Sequence, residues 1–231
     1  MRYQNNKFRH ENKYSIGIPN YISLRQKLKA VCEPDPNTGP DGTYLITSLY
    51  FDNAMDKALN EKRNGVPRRE KFRIRYYGSN TENLFLEKKQ KIDGLCLKTS
   101  TKISNESTRR LIAGDWHWLL SEKDPLLSEL GFKFETELLR PKVVVRYRRE
   151  PYIYNPGNVR VTFDMSIESG LTPDWFLDNE AMYIDVNETP GKMILEVKYD
   201  EFLPDVIRTL IQPDLTRVQA FSKYEKARMY F

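Results

Sequence analysis

Apolar and polar residues alternate with a period of two along several stretches of this chain. In "REKFRIRYYG", Arg69 to Gly78, the residues Phe72, Ile74 and Tyr76 fall on one side and Arg69, Lys71, Arg73 and Arg75 on the other. That alternation is the pattern of a half-buried strand. "YLITSLYFD" (Tyr44–Asp52), "LFLEKKQKI" (Leu84–Ile92), "KVVVRYRRE" (Lys142–Glu150), "VRVTFDMSI" (Val159–Ile167) and "MILEVKYD" (Met193–Asp200) predict further strands. The turn "GSNTEN" makes a hairpin of two of them, and the turn "PYIYNPGN" joins two more. Helices are predicted over Pro19–Cys32, with proline in the first turn, and over Ala54–Arg63, ended by Asn64-Gly65. A helical middle section, Glu106 to Leu130, carries Trp116 and Trp118, read as packing residues, and "EFLPDVIRTLIQ" and "TRVQAFSKYEKARMYF" supply two closing helices. Glu33–Tyr44, rich in Pro, Asp and Gly, reads as a loop. Many antiparallel strands with helices at the start, middle and end predict an α+β fold with one dominant sheet or barrel, as a single domain over residues 1–231.

The polar faces of these strands are unusual. Beside the Arg69–Arg75 stripe stand Glu87, Lys89 and Lys91 on one strand, Arg160, Thr162 and Asp164 on another, and Glu196 and Lys198 on a third. Near the start, Arg9, Glu11 and Lys13 alternate, and in "KVVVRYRRE" parity leaves Tyr147/Arg149 and Arg146/Arg148 as alternative inner pairs. A two-layer sandwich would simply solvate such faces. Solvated strand faces usually mix in Thr, Ser and Gln, whereas these are dense in arginine and lysine with isolated glutamates. A barrel with a wet, charged interior accounts for that composition. Guanidinium groups fit phosphate oxygens bidentately, and the few inward carboxylates suit a divalent cation that takes oxygen ligands.

Composition sharpens the reading only in part. The 231 residues carry a formal net charge of +5, with a pI near 9.0 and a mean hydropathy of -0.66. A mildly basic chain suits polyanions without choosing among them. Cys32 and Cys96 lie far apart and are read as reduced thiols near the core. His10 and His117, the two histidines, sit in unrelated contexts, so a zinc site is not expected. No apolar run is long enough to span a membrane, and the first residues lack a signal-peptide core, so a cytoplasmic location is expected.

The ordered set "RHENKY", "SLYFDN", "RREKFRIRYYG", "LFLEKKQKIDG", "VVVRYRREPY", "VRVTFDMSI", "ILEVKYD" and "FSKYEKA" resembles the VTC domain. That is the polyphosphate polymerase domain of the vacuolar transporter chaperone proteins and their bacterial relatives, within the triphosphate tunnel (CYTH-like) superfamily. The resemblance spans about Lys7 to Tyr230. It implies an antiparallel barrel forming a basic tunnel, with the last helix at its mouth. It implies transfer of the terminal phosphate of ATP to a growing polyphosphate chain, with Mn²⁺ or Mg²⁺. Carried over by position, Lys13, Arg73, Arg75, Lys89, Arg149 and Arg160 would grip phosphates as the catalytic set. Lys62, Tyr147, Lys198, Ser222 and Lys223 would add phosphate contacts, and Glu196, Glu87 and Glu11 would serve the metal. Asp164 is read as orienting an arginine.

Two departures bear on the chemistry. Arg9 stands where tunnel enzymes often carry the first of two alternating glutamates, which leans away from two-metal hydrolysis. Ala220 stands where yeast-like polymerases carry a lysine, with Arg217 as a nearby substitute. ATP and polyphosphate are the expected partners. No dedicated nucleic-acid site is expected, and a membrane partner stays open. The competing readings are a tripolyphosphatase or nucleoside triphosphatase of the same fold, and a non-catalytic sensor of polyphosphate or inositol polyphosphate.

Overall fold

The computed structural model describes residues 7–178, 180–187, 190–212 and 221–229. Its ten strands among these residues are β1 (His10–Ile16), β2 (Glu33–Pro34), β3 (Tyr44–Asp52), β4 (Arg68–Tyr77), β5 (Leu84–Ile92), β6 (Leu95–Ile103), β7 (Arg140–Tyr154), β8 (Val159–Gly170), β9 (Tyr183–Asp185) and β10 (Met193–Tyr199). The helices are α1 (Ile18–Val31), α2 (Lys57–Arg63), α3 (Asn105–Ile112), α4 (Pro125–Thr136), α5 (Asp205–Ile211) and α6 (Lys223–Arg228). All strands join one antiparallel sheet in the order β1-β10-β8-β7-β3-β4-β5-β6, with β2 on β7 and β9 on β8. The sheet curls until its two outer strands approach. There the backbones of Arg9 and Cys96 exchange two hydrogen bonds of 2.9 Å each, a single bridge rather than a ladder.

The strand pattern explains the curl. Outward residues are apolar and packed under helices. Leu49, Phe72, Ile74 and Leu86 meet Leu111 of α3 and Leu127, Leu130 and Phe134 of α4. Val161, Phe163, Leu195 and Val197 meet Leu24 and Leu28 of α1 and Ile207 of α5. The inward faces are charged along most of their length but turn apolar at one end. Ile46, Val143, Val145, Ile167 and Ile194 form that patch, and Tyr224 and Ala227 of α6 cover it. The short last helix is therefore a plug seated in one end of the barrel, against β7 and β8. Burying a side chain such as Tyr224 there is worth about 1.5–3 kcal/mol.

The elements differ from the sequence reading at definite places. β6 lies where no strand was predicted. Its hairpin with β5 turns on Asp93 (φ 49°) and Gly94 (φ 92°), left-handed values that an Asp-Gly pair supplies. β7 runs through Pro151 to Tyr154, past the predicted end at Glu150. Pro151 falls between Arg149, the last residue paired with β3, and Tyr152, the first paired with β2. A residue without an N–H is tolerated where one edge of the strand has no partner. The helical middle section is broken by Gly114 (φ 85°) into α3, a 3-10 turn over His117–Ser121, and α4. Of the last predicted helix, the described part is α6; Arg217 and Ala220 lie outside the described residues. No helix among the described residues is long and apolar enough to cross a membrane.

Candidate active site

The barrel encloses a cavity of about 620 Å³. Among the described residues, fifteen lysines and arginines line it against four carboxylates. That surplus of eleven exceeds the +5 of the whole chain, so the rest of the chain is net negative. The positive charge is thus concentrated inside, where low-dielectric walls strengthen its pull on anions.

One wall is built by β1 and β10. Antiparallel register sets Lys13 opposite Glu196 and Glu11 opposite Lys198. Lys13 Nζ lies 3.1 Å from Glu11 and 3.4 Å from Glu196, and also donates to the Phe221 carbonyl at 3.2 Å. Lys198 is 2.8 Å from Glu196 and 3.7 Å from Glu11. Lys89 of β5 reaches both Glu11 oxygens at 2.7 Å. Burial and the neighbouring Glu196 work against the charge on Glu11, but Lys13, Lys89 and Lys198 prevail and hold its carboxyl far below the usual range. Glu196 is likewise held ionised: burial opposes it, and Lys198, Lys13 and Arg149 overcome that. Lys13, penalised by burial, is pushed up by the same two carboxylates.

Next along the wall, Arg149 of β7 makes a bidentate pair with Asp164 of β8 at 2.6 and 2.8 Å. Lys223 of α6 reaches the same carboxylate at 2.5 Å and lies over the Tyr147 ring at 4.6 Å. Asp164 is fully buried. Register settles the parity of β7: Tyr147 and Arg149 point inward, while Arg146 pairs with Glu168 and Arg148 with Asp41.

The opposite wall belongs to β4 and β5. Arg73 donates to Glu87 at 2.8 Å and to the Tyr50 hydroxyl at 3.0 Å. Arg75 donates to the hydroxyls of Tyr147 at 3.2 Å and Tyr77 at 3.5 Å, and lies 3.7 Å from Glu87. Lys98 of β6 takes the other Glu87 oxygen at 3.1 Å. Burial opposes the Tyr50 phenolate, yet Arg73 and Arg75 pull the phenol down to about 8. Arg160 is tied to Asp35 at 2.5 Å and donates to the Tyr44 hydroxyl at 2.7 Å. At the plugged end Lys62 pairs with Glu225 of α6, and Ser222 caps α6 by accepting the Glu225 N–H at 3.3 Å.

Thirteen of the fourteen residues singled out from the sequence therefore border one cavity. Glu87 does not line it; it lies beneath Arg73, Arg75 and Lys98, 2 % exposed. Sequence reasoning left out Lys98, because β6 itself was missed, although "DG" between two alternating runs marks a hairpin. It also left Lys71 and Arg69 out of the site, although both share the face of Arg73 and Arg75 and line the cavity. Tyr44, Tyr50 and Tyr77, whose hydroxyls seat the arginines, carry no signal beyond inward parity.

The donor set fits a small hard cation. No group of three or more His, Cys, Asp or Glu side chains able to hold a metal occurs among the described residues. Glu11 and Glu196, side by side and ionised, offer two carboxylates. Mg²⁺-type ions are commonly held by one or two carboxylates with phosphate oxygens and water completing the shell.

Comparison with known proteins agrees with this geometry. The VTC domain matches residues 8–231. No curated protein matches the chain. Among solved structures, HpAC1 of Hippeastrum, described as an adenylyl cyclase candidate with a dominant triphosphatase activity, aligns with a TM-score of 0.60 at 14% identity, covering 96% of each chain. PH1819 of Pyrococcus horikoshii OT3 aligns at 0.50 with 15% identity, covering 96% of this chain and all of that one. At such identities these two share the fold. The domain match over nearly the entire length places the chain in the VTC domain family.

Proposed function

We propose that this chain is a metal-dependent polyphosphate polymerase that moves the terminal phosphate of ATP onto a growing polyphosphate chain inside the barrel. The observation that carries the reading is the surplus of eleven positive charges that the described residues place along one cavity, in a member of the VTC domain family. Phosphoryl transfer asks a protein mainly for positioning and for neutralising charge that spreads over the transferred oxygens. Arg73, Arg75 and Lys89 on one wall, and Lys13, Arg149, Arg160 and Lys198 on the other, hold the phosphates in line. Tyr147 braces Arg75. Lys62, Ser222 and Lys223 meet the chain at the α6 end. Glu87 anchors Arg73 and Arg75. Glu11 and Glu196 would hold Mn²⁺ or Mg²⁺, and the bound cation would offset phosphate charge.

In this reaction an oxygen of the acceptor chain forms the new P–O bond, the bond from the terminal phosphorus to ADP breaks, and ADP carries away the electron pair. The acceptor oxygen is already anionic, so no base is needed. Hydrolysis is the second reading, favoured by the triphosphatase activity described for HpAC1. It needs a group that takes a proton from water. The cavity carboxylates Glu11 and Glu196 are poor candidates, because surrounding cations hold both far below neutrality. Incubation of the pure protein with ATP, Mn²⁺ and a tripolyphosphate primer separates the readings. Long polyphosphate with stoichiometric ADP supports polymerisation. Free phosphate without polymer means a hydrolase, and tight, salt-sensitive binding without turnover means a sensor.

A further inference from the structure

Most cavity cations already have an anion of the protein. Lys13, Lys89 and Lys198 have Glu11 or Glu196; Arg73, Arg75 and Lys98 have Glu87; Arg149 and Lys223 have Asp164. A phosphate approaching any of these competes with a carboxylate already in place, so its net gain is reduced. Lys71 differs. It sits on β4, two residues from Arg73, on the cavity-lining face. Its ammonium donates to the Ser222 hydroxyl of α6 at 3.4 Å and lies 4.9 Å from the Tyr224 ring. No carboxylate among the described residues pairs with it. Arg69 also lacks a carboxylate but is spent on the Val66 carbonyl, and Lys91 lies at the seam, opposite Cys96.

We infer that Lys71, together with the Ser222 hydroxyl it touches, forms a phosphate subsite at the α6 end of the cavity, and that an incoming phosphate chain gains more from this cation than from the paired ones. The inference rests on the tunnel reading proposed above. A desolvated cation held only by a hydroxyl and a ring is unfavourable in the empty protein, and an anion beside it removes that penalty. The surroundings agree. Burial pushes the Lys71 ammonium down to about 8; Tyr50 from β3 pulls the other way, while Lys13 from β1, Lys89 from β5 and Arg69 from β4 add repulsion. From α6 only the uncharged Ser222 and Tyr224 make contact with it.

The test uses the full chain with tripolyphosphate as the probe, without metal, by calorimetry and thermal melting. Lys71→Met is expected to melt at the same temperature as the parent or higher, since the charge removed has no carboxylate among the described residues. It is expected to bind tripolyphosphate about tenfold or more weakly, the scale of one charge-assisted hydrogen bond, and to lose most of the melting gain the ligand gives. Lys71→Arg restores binding. Between pH 7 and 9.5 the affinity of the parent relative to Lys71→Arg falls, because only the parent loses this charge; the titrations of Tyr50 and of the ligand are common to both proteins and cancel in the ratio. Binding by Lys71→Met within twofold of the parent, or a ratio that stays flat with pH, overturns the inference while leaving the tunnel reading intact. A parent that does not bind tripolyphosphate at all overturns both.

Discussion

Lys223 of α6 and Asp164 of β8 meet at 2.5 Å inside the barrel. The helix α6 thereby contributes a cation to the cavity, and the cation helps fasten the helix. Asp164 also holds Arg149 through both guanidinium nitrogens. The two sides of the contact should therefore differ in cost. Asp164→Ala takes the carboxylate from Lys223 and leaves Arg149 only the longer contact with Glu196 at 3.8 Å, and is expected to destabilise the fold by about 3–5 kcal/mol. Lys223→Met leaves Asp164 in its bidentate pair and should cost less than half of that. Urea unfolding of the two variants checks the asymmetry.

Glu196 and Glu11 are assigned to the metal, and removing a negative charge from a cavity built for anions has opposite effects on two steps. Glu196→Gln is expected to lower metal-dependent turnover of ATP by about 10²-fold, the scale of losing one preorganised electrostatic group. The same change should leave metal-free tripolyphosphate affinity equal or tighter, because one competitor for Lys13 and Lys198 is gone. Turnover equal to the parent's would remove Glu196 from the metal site.

Glu87 serves as an anchor in this account. Its oxygens are taken by Arg73 and Lys98, beneath the cavity surface. Glu87→Gln should weaken tripolyphosphate binding through misplaced arginines and lower stability, while Mn²⁺ affinity in the presence of tripolyphosphate changes little beyond that loss. A specific loss of Mn²⁺ binding, with anion affinity intact, would return Glu87 to the metal.

Acid should unfold the barrel from inside. The folded pKa values of Glu11, Glu87 and Glu196 lie below their ordinary value of 4.5, against burial, because lysines and arginines surround them. Their stabilising contribution is complete above about pH 5 and is lost as pH falls through the folded values. Lys13, raised above 10.5, contributes fully below that pH and loses its contribution only in strong alkali. Melting temperature should therefore fall steeply below pH 4.5, and Glu87→Gln, already lacking one of these groups, should show a shallower acid limb.

Much of the architecture was legible because its logic is local. Alternation in "REKFRIRYYG" gave both the strand and the inward arginines, and the ordered motifs gave the family. What escaped depends on partners far away in sequence. β6 has a polar, weakly alternating run, "LCLKTSTKI", and becomes a strand by pairing with β5 and closing on Arg9. The inner pair of β7 could not be chosen by parity, since arginines occupy both faces; β8 decides it by setting Asp164 opposite Arg149. The charges of Glu87 and Lys223 were visible, but not that one lies beneath arginines and the other within the barrel. Lys71 had the right parity from the start, and what sets it apart is that no carboxylate among the described residues pairs with it.

The central claim is that the barrel interior receives a phosphate chain. A crystal structure of the protein with tripolyphosphate and Mn²⁺ tests it directly. The account predicts phosphates within hydrogen-bonding distance of Arg75, Arg149 and Lys71, and the metal on Glu11 and Glu196. Phosphates bound only on the outer surface, with the inward ion pairs unchanged and the interior free of ligand, would contradict it.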